Sequence, residues 1–412
     1  MGNFNSKNID NLPTHNALNN YQDFGFIPQK CNNKLPLYYE YLEQIRVCMY
    51  ESYPKFENLI ENNIFIDDII NQNILTLEDC EVRNLYSLCG IIAHKYIWHD
   101  PSNPKNSIPQ CIAKPWYDSA NLLGIPPVLT HSAVDLWNWE LKDTSKGFHL
   151  DNLRSLNTMC DGDDAQQSEE WFYLIMVAIE GECGGLVELF EMCMKEFESD
   201  KHDSDSIYNN MVKIKAILTQ QKKLMSRMTE RCNPKLFYNV LRKYLWGSDK
   251  IEGGLELVGA EQIENEGKEP QYINVKINYG GGSAAQSSLI QAEDIFFGIK
   301  HPNDNFLLKM RDFMPEKHRI YIESMGERIN MRNFLTKNVN NTSYDYQLLM
   351  PLYNECVTLI SEFRKIHKGI VAVYIINQMN KDVENETGTG GTPLQTYLRT
   401  KVEETEKLII EE

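Results

Sequence analysis

A chain of 412 residues, 42% hydrophobic, is long enough for one large or two ordinary domains, each with its own core. Its formal net charge of -17 repels phosphate backbones and no Lys- or Arg-rich run offsets this locally, which excludes nucleic acid as a partner. Ten cysteines without a single C-x-x-C pair argue against a disulfide scaffold and read as reduced thiols of a cytoplasmic protein.

The first twenty residues carry Asn at 3, 5, 8, 11, 16, 19 and 20 and no apolar period, so they form a loose polar arm. Within it, Met1-Gly-Asn-Phe-Asn-Ser6 fits the N-myristoylation pattern at Gly2, and a single acyl chain gives only reversible membrane binding. Residues 21–157 alternate short apolar segments with Pro- and Asn-bearing turns such as Asp100-Pro-Ser-Asn-Pro104, as expected of a small, mostly helical domain. A polar stretch at 158–168 reads as a linker to a large helical domain spanning 169–412.

Ser168 is expected to cap a buried helix running from Trp171 to about Phe197, with Glu169 and Glu170 in its first turn. Its most apolar window ends at Glu180 and is too short to span a membrane. The next helix carries a stripe of Ile207, Met211, Ile214, Leu218, Met225 and Met228. Another begins near Asn233-Pro234 and brings Tyr238 and Arg242 onto one face. Between Leu255 and Tyr279 the period becomes two, with Ile273, Val275, Ile277 and Tyr279 alternating, which predicts a small β-hairpin. The glycines after it can bring backbone amides close to a ligand. Helical periodicity dominates from Ile290 onward, and Thr392, Pro393 and Gln395 supply a cap for the last helix. The fold class is therefore mainly α.

No P-loop, dinucleotide fingerprint or nucleophile elbow occurs, and an enzyme-sized helical chain without such motifs often lends its pocket to a cofactor. His367 shares a helical face with residues 352, 356, 359, 363, 370 and 374, so its imidazole points into the core and needs a partner. Iron is one candidate; a backbone carbonyl or a carboxylate is another.

Five separated segments resemble the indoleamine 2,3-dioxygenase family. They are Leu123-Gly-Ile-Pro-Pro-Val-Leu129 with Asn138-Trp139, Asn233-Pro-Lys-Leu-Phe-Tyr-Asn-Val-Leu-Arg242, Gly281-Gly-Ser-Ala284 with Gln286-Ser-Ser288, Arg364-Lys-Ile-His367, and Gly388-Thr-Gly-Gly-Thr392. The resemblance implies a b-type haem whose iron is held by His367, with O2 as co-substrate and L-tryptophan or a related indoleamine cleaved to N-formylkynurenine, the first step of the kynurenine pathway. It implies that Arg364, Asp294 and Ser283 lie near the haem. It implies that Phe172, Phe237, Tyr238, Arg242, Gly282, Ser283, Ala284 and Thr389 surround the substrate, and that no residue acts as acid or base. At two distal positions the sequence departs from the vertebrate pattern, with His131 in place of Tyr and Met176 in place of Ser. Met176 is expected to fill space, although a thioether can also ligate iron. A monomer is expected. The alternative is an oxygen-binding or oxygen-sensing haem protein on the same fold.

Overall fold

The computed structural model describes residues 25–28, 35–36, 39–62, 74–263, 270–302, 305–338, 344–379 and 394–410. Thr389 and the cap at Thr392 and Pro393 lie outside them, as does the N-terminal arm with Gly2. The described chain is mainly helical, as expected, with two small sheets. No described helix is long and apolar enough to cross a membrane, and each described cysteine is free.

The segment before residue 157 is built on helices Glu40–Glu51, Tyr53–Glu61, Asp79–Trp98 and Gln110–Leu123. Asp79–Trp98 starts with a capping box, in which Glu78 accepts from the backbone and Glu81 returns the bond to the Glu78 amide. Its far half is buried on nearly every side, because later parts of the chain pack around it. Side chains from Phe26 to Ile375 join one buried cluster, so both segments share their core.

The stretch expected as a linker is tied down at both ends. Glu169 accepts from the amides of Met159 at 2.8 Å and Cys160 at 2.7 Å, while Lys95 donates to the Met159 carbonyl at 2.6 Å. Asp163–Ser168 already belongs to the helix Asp163–Glu182, so Ser168 is not its cap. Instead the Ser168 hydroxyl donates to the Asp164 carbonyl and accepts from the Asn233 amide, which joins this helix to the start of the Asn233 segment.

The single helix expected from Trp171 to Phe197 is two, Asp163–Glu182 and Gly185–Phe197. The Gly184-Gly185 pair breaks it. A Cβ on Gly25 would come within 2.7 Å of the Gly184 Cα, so the N-terminal chain crosses where the helix is interrupted.

The predicted hairpin is present as β4 (Leu255–Ile263) and β5 (Gln271–Ile277), antiparallel with Leu255 opposite Ile277 and a register irregularity between Leu257 and Glu261. It ends at Ile277, and Tyr279, expected as an inward strand residue, is exposed. A short parallel strand that the periodicity did not predict, β1 (Ser107–Ile108), joins β4 from the N-terminal segment. A second small sheet pairs β2 (Trp139–Leu141) with β3 (Leu153–Ser155).

After β5 the chain passes against residues 245–247 with no space between the backbones. A Cβ on Gly247 would overlap the Tyr279 carbonyl oxygen, and one on Gly281 would overlap the Leu245 carbonyl oxygen. This contact fixes where Gly282, Ser283 and Ala284 emerge. Gly247→Ala is expected to lower stability by about 1–3 kcal/mol through forced displacement of the loop, measurable as a reduced urea midpoint with unchanged slope.

Candidate active site

The helix Tyr344–Tyr374 carries His367, Ile370, Val371 and Tyr374 along one wall of a cavity holding about 1330 Å³ of empty space, part of it open to solvent. The lining is largely apolar and aromatic with a few polar groups, the character of a small-molecule pocket. Tyr397 and Leu398 of the helix Leu394–Glu406 and Phe306 add to this wall. Other parts of the wall come from Leu129, His131, Val134, Asp135, Phe172, Met176, Phe237, Arg242 and Gly282–Ala284.

Two segments bordering the cavity are wound as π-helix, Ser132–Leu136 and Phe237–Leu241. The second follows the expected start, with Asn233 accepting from the Lys235 and Leu236 amides. Its wider turn presents Phe237 and Arg242 to the cavity, and Tyr238, expected there, does not border it. Tyr238 instead lies beneath the Arg242 guanidinium, 5.6 Å from carbon to ring centre. Phe172 and Phe237 pack at 4.9 Å, and Phe237 meets Tyr374 edge-on at 5.6 Å, giving an aromatic wall. Tyr374 is held by its hydroxyl, which donates to the Cys232 carbonyl at 2.7 Å.

His367 lies deep in the molecule and is half-exposed only because it borders the cavity. Among the described residues it makes no hydrogen bond or ion pair. Burial, helped by nearby Arg364, pulls its pKa down to about 4, so the ring is neutral and its nitrogen lone pair is available. The donor type, the protonation state and the adjoining open space fit a residue that would hold haem iron.

Arg364 and Asp294 do not border the cavity. The Arg364 guanidinium bonds the Asp294 carboxylate and the Thr405 hydroxyl, and reaches the Lys401 carbonyl at 3.3 Å. Burial would raise the Asp294 pKa, but Arg364 and His301 outweigh it and lower the value. His301 bridges Asp294 at 2.9 Å and Glu404 at 2.6 Å. The cluster thus fastens the helix Leu394–Glu406 to the helix that bears His367. A propionate contact at Arg364, implied by the resemblance, would have to compete with these bonds.

His131 sits between two buried carboxylates, Asp135 at 2.6 Å on Nδ1 and Glu180 at 3.0 Å on Nε2. Burial would strip its proton, yet the two partners outweigh burial and push the pKa up to about 10. Glu180 also accepts from the Ser287 hydroxyl, and the His131 amide donates to Gln286 at 2.9 Å. The pair Asp135 and Glu180 was not singled out from sequence. The i, i+4 spacing of His131 and Asp135 was a usable signal, whereas Glu180 comes from another helix.

The family profile for indoleamine 2,3-dioxygenase matches residues 17–408. The chain belongs to the indoleamine 2,3-dioxygenase family. A Saccharomyces cerevisiae protein named indoleamine 2,3-dioxygenase is 30% identical over 330 residues, 76% of this chain and 69% of that protein. The mouse indoleamine 2,3-dioxygenase 2 is 25% identical over 411 residues, 94% of each chain. A Fusarium equiseti protein named 6-hydroxytryptophan 2,3-dioxygenase is 29% identical over 343 residues, 78% of this chain and 80% of that one. Family membership makes the chain a dioxygenase-type oxidoreductase and gives the cavity its chemical context.

Replacing His131 by Leu leaves Asp135 and Glu180 buried without a counter-charge, which is expected to cost about 3–5 kcal/mol. A folded-state pKa raised above the ordinary value of about 6.5 gives stability that is complete below that pH and lost as pH rises toward the folded value. Urea unfolding of the wild type against His131→Leu should show the difference between them shrinking from about pH 6.5 to about 10.

Proposed function

We propose that this protein is a haem-dependent dioxygenase that cleaves the indole ring of L-tryptophan, with His367 as the protein's ligand to iron. The observation that carries the reading is a neutral imidazole, without a partner among the described residues, opening onto a largely apolar cavity. When bound, haem supplies the ferrous iron at which O2 is activated, so that both oxygen atoms enter across the C2–C3 bond and give N-formylkynurenine.

The chain's own part is to bind, orient and keep dry. Arg242 is buried at the cavity wall, where a guanidinium suits the α-carboxylate of an amino acid. Phe172 and Phe237 offer aromatic faces to an indole. Gly282 brings backbone into the wall, since a Cβ there would lie 3.1 Å from the Leu129 carbonyl oxygen. Met176 borders the cavity with an apolar thioether and helps exclude water. Holding the reacting atoms in one geometry in a closed pocket supplies much of the acceleration without an external base.

The decisive assay is formation of N-formylkynurenine from L-tryptophan by the purified protein under reducing conditions. Haem and oxygen binding without product would reduce the protein to an oxygen carrier. His367→Ala should lose the Soret band of the bound haem; a full band with unchanged ligand spectra would remove His367 from the iron. Arg242→Ala should lower kcat/KM by roughly tenfold to a hundredfold, the worth of a charged hydrogen bond.

A further inference from the structure

The π-helical turn Ser132–Leu136 puts one more strong polar group in the cavity wall than the family resemblance implies. Asp135 borders the cavity and is only 4% exposed. Its Oδ2 is 2.6 Å from His131 Nδ1. Its Oδ1 is shut off from water and has no hydrogen-bond partner. A buried acceptor without a donor is costly, and a ligand that brings a donor recovers that cost.

The neighbours of Asp135 leave this task to it. His131 has a carboxylate on each ring nitrogen and no free donor or acceptor. Val134 and Leu129 are apolar, and the Met176 thioether is a weak acceptor. Outside the cluster of His131 with its two carboxylates, Arg242 is a cation bordering the cavity, and it can meet only the anionic end of an amino acid. A substrate anchored there presents its ring to the remaining wall, and the ring's own polar groups are donors: the indole N–H, and any hydroxyl it carries.

We propose that Asp135 is a specificity-determining residue of this cavity, its Oδ1 accepting a hydrogen bond from a donor on the aromatic ring of the substrate. The proposal rests on the reading of the cavity as an indole-binding site. The imidazolium of His131 holds Asp135 in place through Oδ2, and Glu180 holds His131 from its other side, so the acceptor is fixed before the ligand arrives. An N–H and a ring hydroxyl share this chemistry, and the substrate series separates them.

Dissociation constants measured by calorimetry on the purified full-length protein for L-tryptophan, 6-hydroxy-L-tryptophan and 1-methyl-L-tryptophan test the assignment in wild type and Asp135→Asn. The asparagine keeps a carbonyl oxygen for His131 and turns the other atom into a donor. The expected result is a loss of roughly tenfold or more for ligands with the recognised donor, with 1-methyl-L-tryptophan unchanged. An equal loss for L-tryptophan and its hydroxylated form identifies the indole N–H; a loss confined to the hydroxylated form identifies the hydroxyl. No change in any ligand, or the same change in all three, overturns the proposal. Should Asp135→Asn fail to fold, the wild-type series decides: 1-methyl-L-tryptophan binding as tightly as both of the others overturns it. Absence of turnover with this binding pattern intact would refute the proposed reaction and leave the role of Asp135 standing.

Discussion

Each wall of the cavity is held from behind by a buried polar tie, because side chains bordering empty space have packing partners on one side only. His94 shows the principle. Its Nε2 accepts from the Leu129 amide at 3.1 Å, so its Nδ1 carries the proton and donates to the Tyr244 carbonyl at 2.8 Å. Burial pulls its pKa down to about 4 and keeps it in that neutral form. One imidazole from the N-terminal segment therefore fixes both the Leu129 wall and the end of the segment carrying Arg242. The Asp294 cluster does the same for the last helix, and Glu180 does it for the loop that carries Ser287.

Ties of this kind are directional, which apolar packing is not. A hydrophobic core of about the right volume tolerates repacking, whereas a buried carboxylate that loses its partner is strongly penalised. The architecture thus divides the labour. Apolar surface gathers the helices, and a handful of buried ionisable groups sets their spacing around the open space. Glu169 extends the scheme to residues 158–160, turning a polar stretch into an anchored strap under the helix that supplies Phe172 and Met176.

The wall formed by His131, Asp135 and Met176 concentrates its polarity in one place. It pairs a charged imidazole clamped by two acids with the apolar thioether of Met176, so its polarity lies in one fixed ion cluster. Phe172 and Phe237 supply the aromatic part of the wall.

The mainly helical class, the hairpin at 255–277, the Asn233 cap and the inward face of His367 were all legible in the sequence, since each depends on residues within one or two turns of each other. The resemblance of five segments to the family implied what the cavity would hold. Local pattern misjudged the helix break at Gly184 and the start at Asp163, where a crossing chain and an anchored strap override propensity. The resemblance implied Tyr238 around the substrate, but the π-turn, set by the packing around it and not foreseen by α-helical spacing, leaves Tyr238 outside the cavity lining. The sequence alone thus determined which segments are helix and which imidazole faces inward, both consequences of short-range periodicity. Only the tertiary structure decided that Glu180 and Asp135 clamp His131, that Arg364 bonds Asp294, and which side chains border one cavity, because these depend on distances between residues far apart in the chain.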